Sequence, residues 1–202
     1  LLLDDVHVLN HDPVYRALDR HPGVQIRIFN PIRNRGRGVR RGVEILLSLM
    51  PYNRRMHGKL WLADGRLGMT GGRNIGDAYF DLLPAPAINY DDLDTMLAGP
   101  VLRQAEALFD AFWNSGLALP IRTLWPGQKT RLRRFRARLS QFLNSAESRR
   151  RIERLHLPPT EEAAQALELP ALRWSRAVTF LGDPPQKALG LAPGGWMPVA
   201  LR

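Results

Sequence analysis

The chain has 202 residues, with 29 Lys and Arg against 19 Asp and Glu, a formal charge of +10. Hydrophobic residues make up 45% and charged residues 24%, a globular composition that excludes a wholly disordered or collagen-like chain. Cys is absent, which excludes disulfides, thiolate metal sites and Cys nucleophiles, and no run approaches the ~20 apolar residues needed to span a bilayer.

The first third reads as alternating strands and helices. Leu1-Leu2-Leu3 is the end of a buried strand that runs straight into Asp4-Asp5; an opening inside an apolar run, with no Met, reads as a piece of something longer. Pro13 to Asp19 is a short helix with Asp12 as N-cap and Pro13 at its first position. Val24 to Phe29 alternates as a half-buried strand. Arg33, Arg35, Arg37, Arg40 and Arg41, interleaved with Gly36 and Gly38, form a basic loop, and Val43 to Met50 is an apolar helix. Leu60 to Ala63 is a strand, Asp64-Gly65 a turn, and Leu67 to Thr70 the returning strand. Asp94 to Ala98 is a further strand, closed by Gly99-Pro100. Leu102, Ala105, Leu108, Phe109 and Phe112 recur at helical spacing, so Val101 to Asn114 is an amphipathic helix.

The character changes after Pro120. Lys129 to Arg154 holds ten basic residues against Glu147 and Glu153, and so carries +8 of the net +10. Leu132, Phe135, Leu139, Phe142 and Leu143 share one helical face. Two readings follow: a solvated helix that packs its apolar stripe on the domain, or a basic helix that faces phosphate or a membrane surface. Thr160 to Leu169 is a short helix, with Thr160 capping it. Ala177 to Leu181 is a strand, followed by a turn at Gly182 to Pro185.

The chemistry is carried by His57-Gly58-Lys59, then Asp64, then Gly71-Gly72-Arg73-Asn74. His57 and Lys59 are two apart, so on a strand both project from one face. A neutral imidazole beside a fixed ammonium suits a phosphate, one group attacking and the other holding the oxygens. Gly71-Gly72 lets a phosphate approach the backbone, and Asn74 supplies an amide donor at the depth of Lys59. Taken singly, each of these residues has an ordinary structural reading: an exposed His, a solvated Lys, a hairpin turn, a tight bend. Their combination on a strand–turn–strand frame is the informative feature.

His57-x-Lys59-x4-Asp64-x6-Gly71-Gly72-x-Asn74 resembles the HKD motif of the phospholipase D superfamily. The words around it, above all Gly71 to Phe80, Arg27-Ile28-Phe29-Asn30-Pro31, Asn53 to His57, Asp92-Leu93-Asp94 and Phe112-Trp113-Asn114-Ser115, look like the C-type branch of the bacterial cardiolipin synthases. The resemblance covers Leu1 to about Leu119 and resumes weakly at Phe180 to Leu189. It implies an α/β fold, a mixed sheet flanked by helices. It implies an incomplete first half with the HKD motif over 1–119, a basic helical linker over 120–175, and the start of a second half over 176–202.

The resemblance also implies a mechanism in which two such motifs face each other, one His forming a phosphohistidine and the other protonating the leaving alcohol. His57 is then nucleophile or acid/base partner, Lys59 and Asn74 clamp the non-bridging oxygens with Gly72 alongside, and Asp92 is the carboxylate that orients the His. Asp64, the third residue of the motif and grouped with His57, Lys59 and Asp92 among the catalytic positions, reads as a turn stabiliser. No cofactor and no metal is implied. The implied partners are phospholipids of phosphatidylglycerol type and a membrane surface, with no nucleic acid, at the bacterial inner membrane. The departure is that His7, His11, His21 and His156 lack a Lys two residues on, so one motif is present and the isolated chain is expected to be inactive. The alternative is a single-motif phosphodiesterase or nuclease that completes its site as a homodimer. A non-enzymatic module, binding membranes through Lys129 to Arg154, is the third reading.

Overall fold

A computed structural model of the chain describes residues 1–8, 11–35, 39, 42–44, 56–125, 132–155, 175 and 177–186. The fold is mixed α/β, with two three-stranded sheets. In the first, β1 (Leu2–Asp4) runs parallel to β2 (Arg27–Phe29), and β2 pairs antiparallel with β6 (Ala118–Pro120), with Leu3 opposite Ile28 and Ile28 opposite Leu119. In the second, β3 (Leu60–Ala63), β4 (Leu67–Gly71) and β5 (Asp94–Leu97) form an antiparallel meander.

A parallel pair needs a crossover, and α1 (Asp5–Val8) and α2 (Asp12–Leu18) supply it between β1 and β2. Val8, Ile26, Ile28, Ile121 and Leu124 form the first core, with Leu3, Tyr15, Leu18 and Trp125 packed around them. This core runs past Leu119, because Ile121 and Leu124, the two ends of the single turn Ile121–Leu124, are buried in it. The second core is Leu97, Val101 and Leu102, joined by Leu62 and Phe180. The helix α3 (Val101–Trp113) serves both: Leu102 packs on the meander, while Phe112 meets Phe29 of β2 with ring centroids 5.2 Å apart. Arg27 fixes the far end of α3, donating to the Trp113 carbonyl at 2.6 Å with its guanidinium over the indole. The meander's other face carries Trp61, Met69 and Met96 in one cross-strand row, all exposed.

Several expectations are corrected. His11, not Asp12, occupies the N-cap of α2; Asp12 lies in the first turn, buried, where its carboxylate faces Arg35. The strand expected over Val24 to Phe29 shrinks to Arg27–Phe29, because Asp19 Oδ1 takes the Ile26 N–H at 2.9 Å in place of a ladder partner. The basic segment is two helices, α4 (Leu132–Leu143) and α5 (Ala146–Arg154), broken where Ser145 Oγ caps α5 by accepting from Ser148 N. The strand expected over Ala177 to Leu181 is absent: Phe180 N donates to the Gln104 side chain at 2.8 Å and its ring joins the second core. Of the helix expected over Val43 to Met50, Val43 and Glu44 are helical. The rest of that helix, the loop residues Arg37, Arg40 and Arg41, and the helix expected over Thr160 to Leu169 lie outside the described residues.

Candidate functional site

The β3–β4 hairpin builds the site. Its turn has Asp64 at φ 52° and Gly65 at φ 62°, with Arg66 N donating to the Ala63 carbonyl at 2.9 Å. Positive φ at both central residues matches the right-handed twist of the strands, and Asp-Gly tolerates it. Asp64 therefore serves the turn. It stands at the opposite end of the hairpin from Lys59, about 16 Å along the strand at ~3.3 Å per residue, and does not join the other candidates.

Those candidates gather where β3 begins, β4 ends and β5 begins. His57 and Lys59 are not on a strand: they precede Leu60, outside the backbone ladder. His57 is exposed and Lys59 half-buried. The Lys59 ammonium donates to the His57 carbonyl at 2.9 Å, while Thr70 Oγ1 donates to the Lys59 carbonyl at 2.8 Å and ties this segment to β4. Upstream, Met56 N donates to Asp4 Oδ2 at 3.1 Å, so the C-terminal end of β1 anchors the residue just before His57.

Gly71 and Gly72 are needed for close approach to the β5 segment. A Cβ on Gly72 would fall 2.0 Å from Asp92 Oδ1, and one on Gly71 would fall 2.4 Å from the Leu93 carbonyl. The side of Gly72 on which a Cβ would stand is thus filled by Asp92. Asp92 precedes β5, and its Oδ1 accepts from Leu93 N at 3.1 Å; among the described residues no hydrogen bond joins it to His57. Asn74 Nδ2 donates to the Tyr79 hydroxyl at 2.8 Å, on the single turn Asp77–Tyr79.

Arg73 was not singled out by sequence reasoning, yet it organises this end of the sheet. Its Nε donates to Asp94 Oδ2 at 2.8 Å, Nη1 to the Tyr79 carbonyl at 2.8 Å and Nη2 to the Asp92 carbonyl at 3.1 Å, with the guanidinium over the Phe80 ring. One fork therefore fixes β4, β5 and the 77–79 turn together. Asp77 in turn accepts from Arg151 of α5 at 2.6 Å. That contact, foremost, together with Glu147, makes the Arg151 guanidinium still harder to deprotonate. The sequence signals were weak: Arg73 sits inside the motif's Gly-Gly-x-Asn run, and Asp4 follows an apolar strand end. Among the described residues, no three His, Asp or Glu side chains converge as a metal site.

Comparison with known proteins gives the relationship. The chain is 40% identical over 113 residues to cardiolipin synthase C of Escherichia coli (strain K12), covering 56% of this chain and 23% of that one. It is 33% identical over 96 residues to cardiolipin synthase A of a Pseudomonas fluorescens strain, covering 46% and 18%. An uncharacterized protein of Helicobacter pylori is 34% identical over 124 residues, covering 61% and 24%. Half of this chain is cardiolipin synthase-like. It spans about a fifth to a quarter of the length of these relatives. No family model and no solved structure matches it. Among the described residues no helix is long and apolar enough to cross a membrane.

Proposed function

We propose that this cardiolipin synthase-like chain carries one half of a phospholipase D-type phosphatidyltransferase site, working on phosphatidylglycerol-type lipid at the bacterial inner membrane. The carrying observation is the exposed His57 imidazole two residues from Lys59, with Asn74 returned to the same end of the sheet by the hairpin. One imidazole nitrogen of His57 attacks phosphorus. The phosphorus–oxygen bond to the leaving alcohol breaks, and that oxygen takes a proton from a second acid. The incoming alcohol then attacks the phosphohistidine, gives up its proton and releases His57. The Lys59 ammonium and the Asn74 amide face the non-bridging oxygens as charge builds on them. The chain has one His-x-Lys pair, so the second acid belongs to another part of the working enzyme, and the 202 residues alone turn over slowly.

Bis(p-nitrophenyl) phosphate tests the first half-reaction, because nitrophenolate leaves without a proton. The expected result is a burst of one nitrophenolate per chain and an acid-labile phosphoryl label on His57, both lost in His57→Ala. An equal burst from His57→Ala, or a label on another residue, rejects the reading.

A further inference from the structure

We propose that α4 is a lipid-docking helix that seats the candidate site on an anionic membrane surface. This deepens the reading above by naming the surface that meets the lipid. The helix carries Arg133, Arg134, Arg136 and Arg138, all exposed, and no acidic residue. No residue of α4 is buried. The helix lies against α2, and in its first turns Leu132 and Phe135 are half-buried. Beyond them the stripe is uncovered: Leu139 is 42% exposed, Phe142 45% and Leu143 49%.

At about 100° per residue, the five large apolar residues of α4 fall within a sector of roughly 100°, with Ala137 outside it. Arg136 and Arg138 stand at its two borders, while Arg133 and Arg134 lie on the far side. An apolar strip edged by arginines fits the boundary between headgroups and acyl chains: the strip enters the hydrocarbon edge, and the bordering guanidinium groups reach the phosphates. A nucleic acid would use the cations and leave Leu139 and Phe142 in water. A second copy would bring its own Arg136 and Arg138 against the same borders. An anionic lipid surface satisfies both the charge and the apolar strip.

The helix is also coupled to the site. It leads through Asn144–Ser145 into α5, whose Arg151 holds Asp77 at 2.6 Å. Asp77 opens the turn whose Tyr79 hydroxyl accepts from Asn74. Docking α4 therefore sets Asn74, and with it the His57–Lys59 end of the sheet, at a fixed relation to the bilayer.

Flotation of the full 202-residue chain with phosphatidylcholine vesicles, with and without phosphatidylglycerol, tests this. Binding should require phosphatidylglycerol. At ~5-fold per arginine near the surface, the paired change Arg136→Gln and Arg138→Gln should weaken binding by roughly 25-fold, and the pair Arg133→Gln and Arg134→Gln by distinctly less. Leu139→Ser with Phe142→Ser should abolish it, with thermal melting unchanged because both side chains are exposed. No vesicle binding, equal binding to neutral vesicles, equal loss from both arginine pairs, or a dimer that Leu139→Ser and Phe142→Ser dissolves in the absence of vesicle binding would each overturn the proposal. The nitrophenolate burst does not depend on α4 meeting lipid, so the two readings fail separately.

Discussion

Arg73 Nε donates to Asp94 Oδ2 at 2.8 Å across the β4–β5 seam, and the same guanidinium takes the carbonyls of Tyr79 and Asp92. Removing it unpairs three acceptors at once. Because the side chain is one-third exposed, water replaces part of what is lost. Arg73→Ala should cost about 1–2 kcal/mol of stability, and Arg73→Lys should recover little of it, since an ammonium cannot reproduce the fork. Urea unfolding of both variants measures this; full recovery by Lys would mean that charge alone is at work.

Gly72 and Asp92 test whether the two glycines act differently. Gly72→Ala drives a methyl into the Asp92 carboxylate and should cost about 1–3 kcal/mol. Asp92→Ala in the same chain should relieve most of that, giving strong non-additivity in a double-mutant cycle. Gly71→Ala meets the Asp94 carboxylate together with the Leu93 carbonyl and the Asp94 backbone, so shortening Asp94 should relieve it only in part. Additive Gly72 and Asp92 effects would contradict the close approach.

Asp5 and Arg35 form a buried ion pair, with side chains 3% and 1% exposed, and Asp5 Oδ2 also accepts from Ile32 N at 2.8 Å. Arg35→Met leaves that carboxylate buried without its cation and should cost about 3–5 kcal/mol. Burial pushes the Asp5 carboxyl above its ordinary 3.8, outweighing the pull of the Ile32 N–H and of Arg35. The folded state then binds more protons than the unfolded state between 3.8 and that raised value. Through this window Asp5's contribution to stability rises as pH falls, and above it ionised Asp5 opposes folding. Asp5→Asn should remove that slope. Urea midpoints across the acid range decide it, and parallel pH profiles for the two proteins would refute it.

At the site, Lys59→Ala and Asn74→Ala should each slow the nitrophenolate burst by about 10²–10³-fold, the usual cost of one charge-stabilising donor. Tyr79→Phe keeps the ring tilted against Tyr90 but releases Asn74 Nδ2, and should slow the burst less than Asn74→Ala does. Stopped-flow absorbance provides the ranking. A Tyr79→Phe rate equal to that of Asn74→Ala would instead place the phenol itself on the phosphate.

Local features were legible from residue order. Asp64-Gly65 between two apolar alternations announced the hairpin, and the stripe from Leu102 to Phe112 announced α3, because turn chemistry and helical period act over a few residues. Features set by distant partners were not. Ile26 leaves the ladder for a carboxylate at Asp19, and Phe180 joins a core built around residue 100, neither of which local alternation can show. Arg73 was one cation among 29 Lys and Arg until its three acceptors were in place. The His57–Lys59 segment was read as strand because its spacing suits one, but pairing with β4 starts only at Leu60.

The nesting of the two sheets has a kinetic consequence. β3, β4 and β5 are consecutive neighbours, whereas β2 finds its partner β6 only across the whole stretch from Phe29 to Ala118. Short-range pairings close cheaply, and distant ones wait on loop closure. The meander should therefore assemble ahead of the β2–β6 seam. Pulse-labelled amides at Thr70 and Leu97 should gain protection before that of Ile121, whose N–H seals the seam on the Ile26 carbonyl at 3.0 Å. The end of the hairpin that holds Lys59 and Thr70 would then mature before the β2–β6 seam closes.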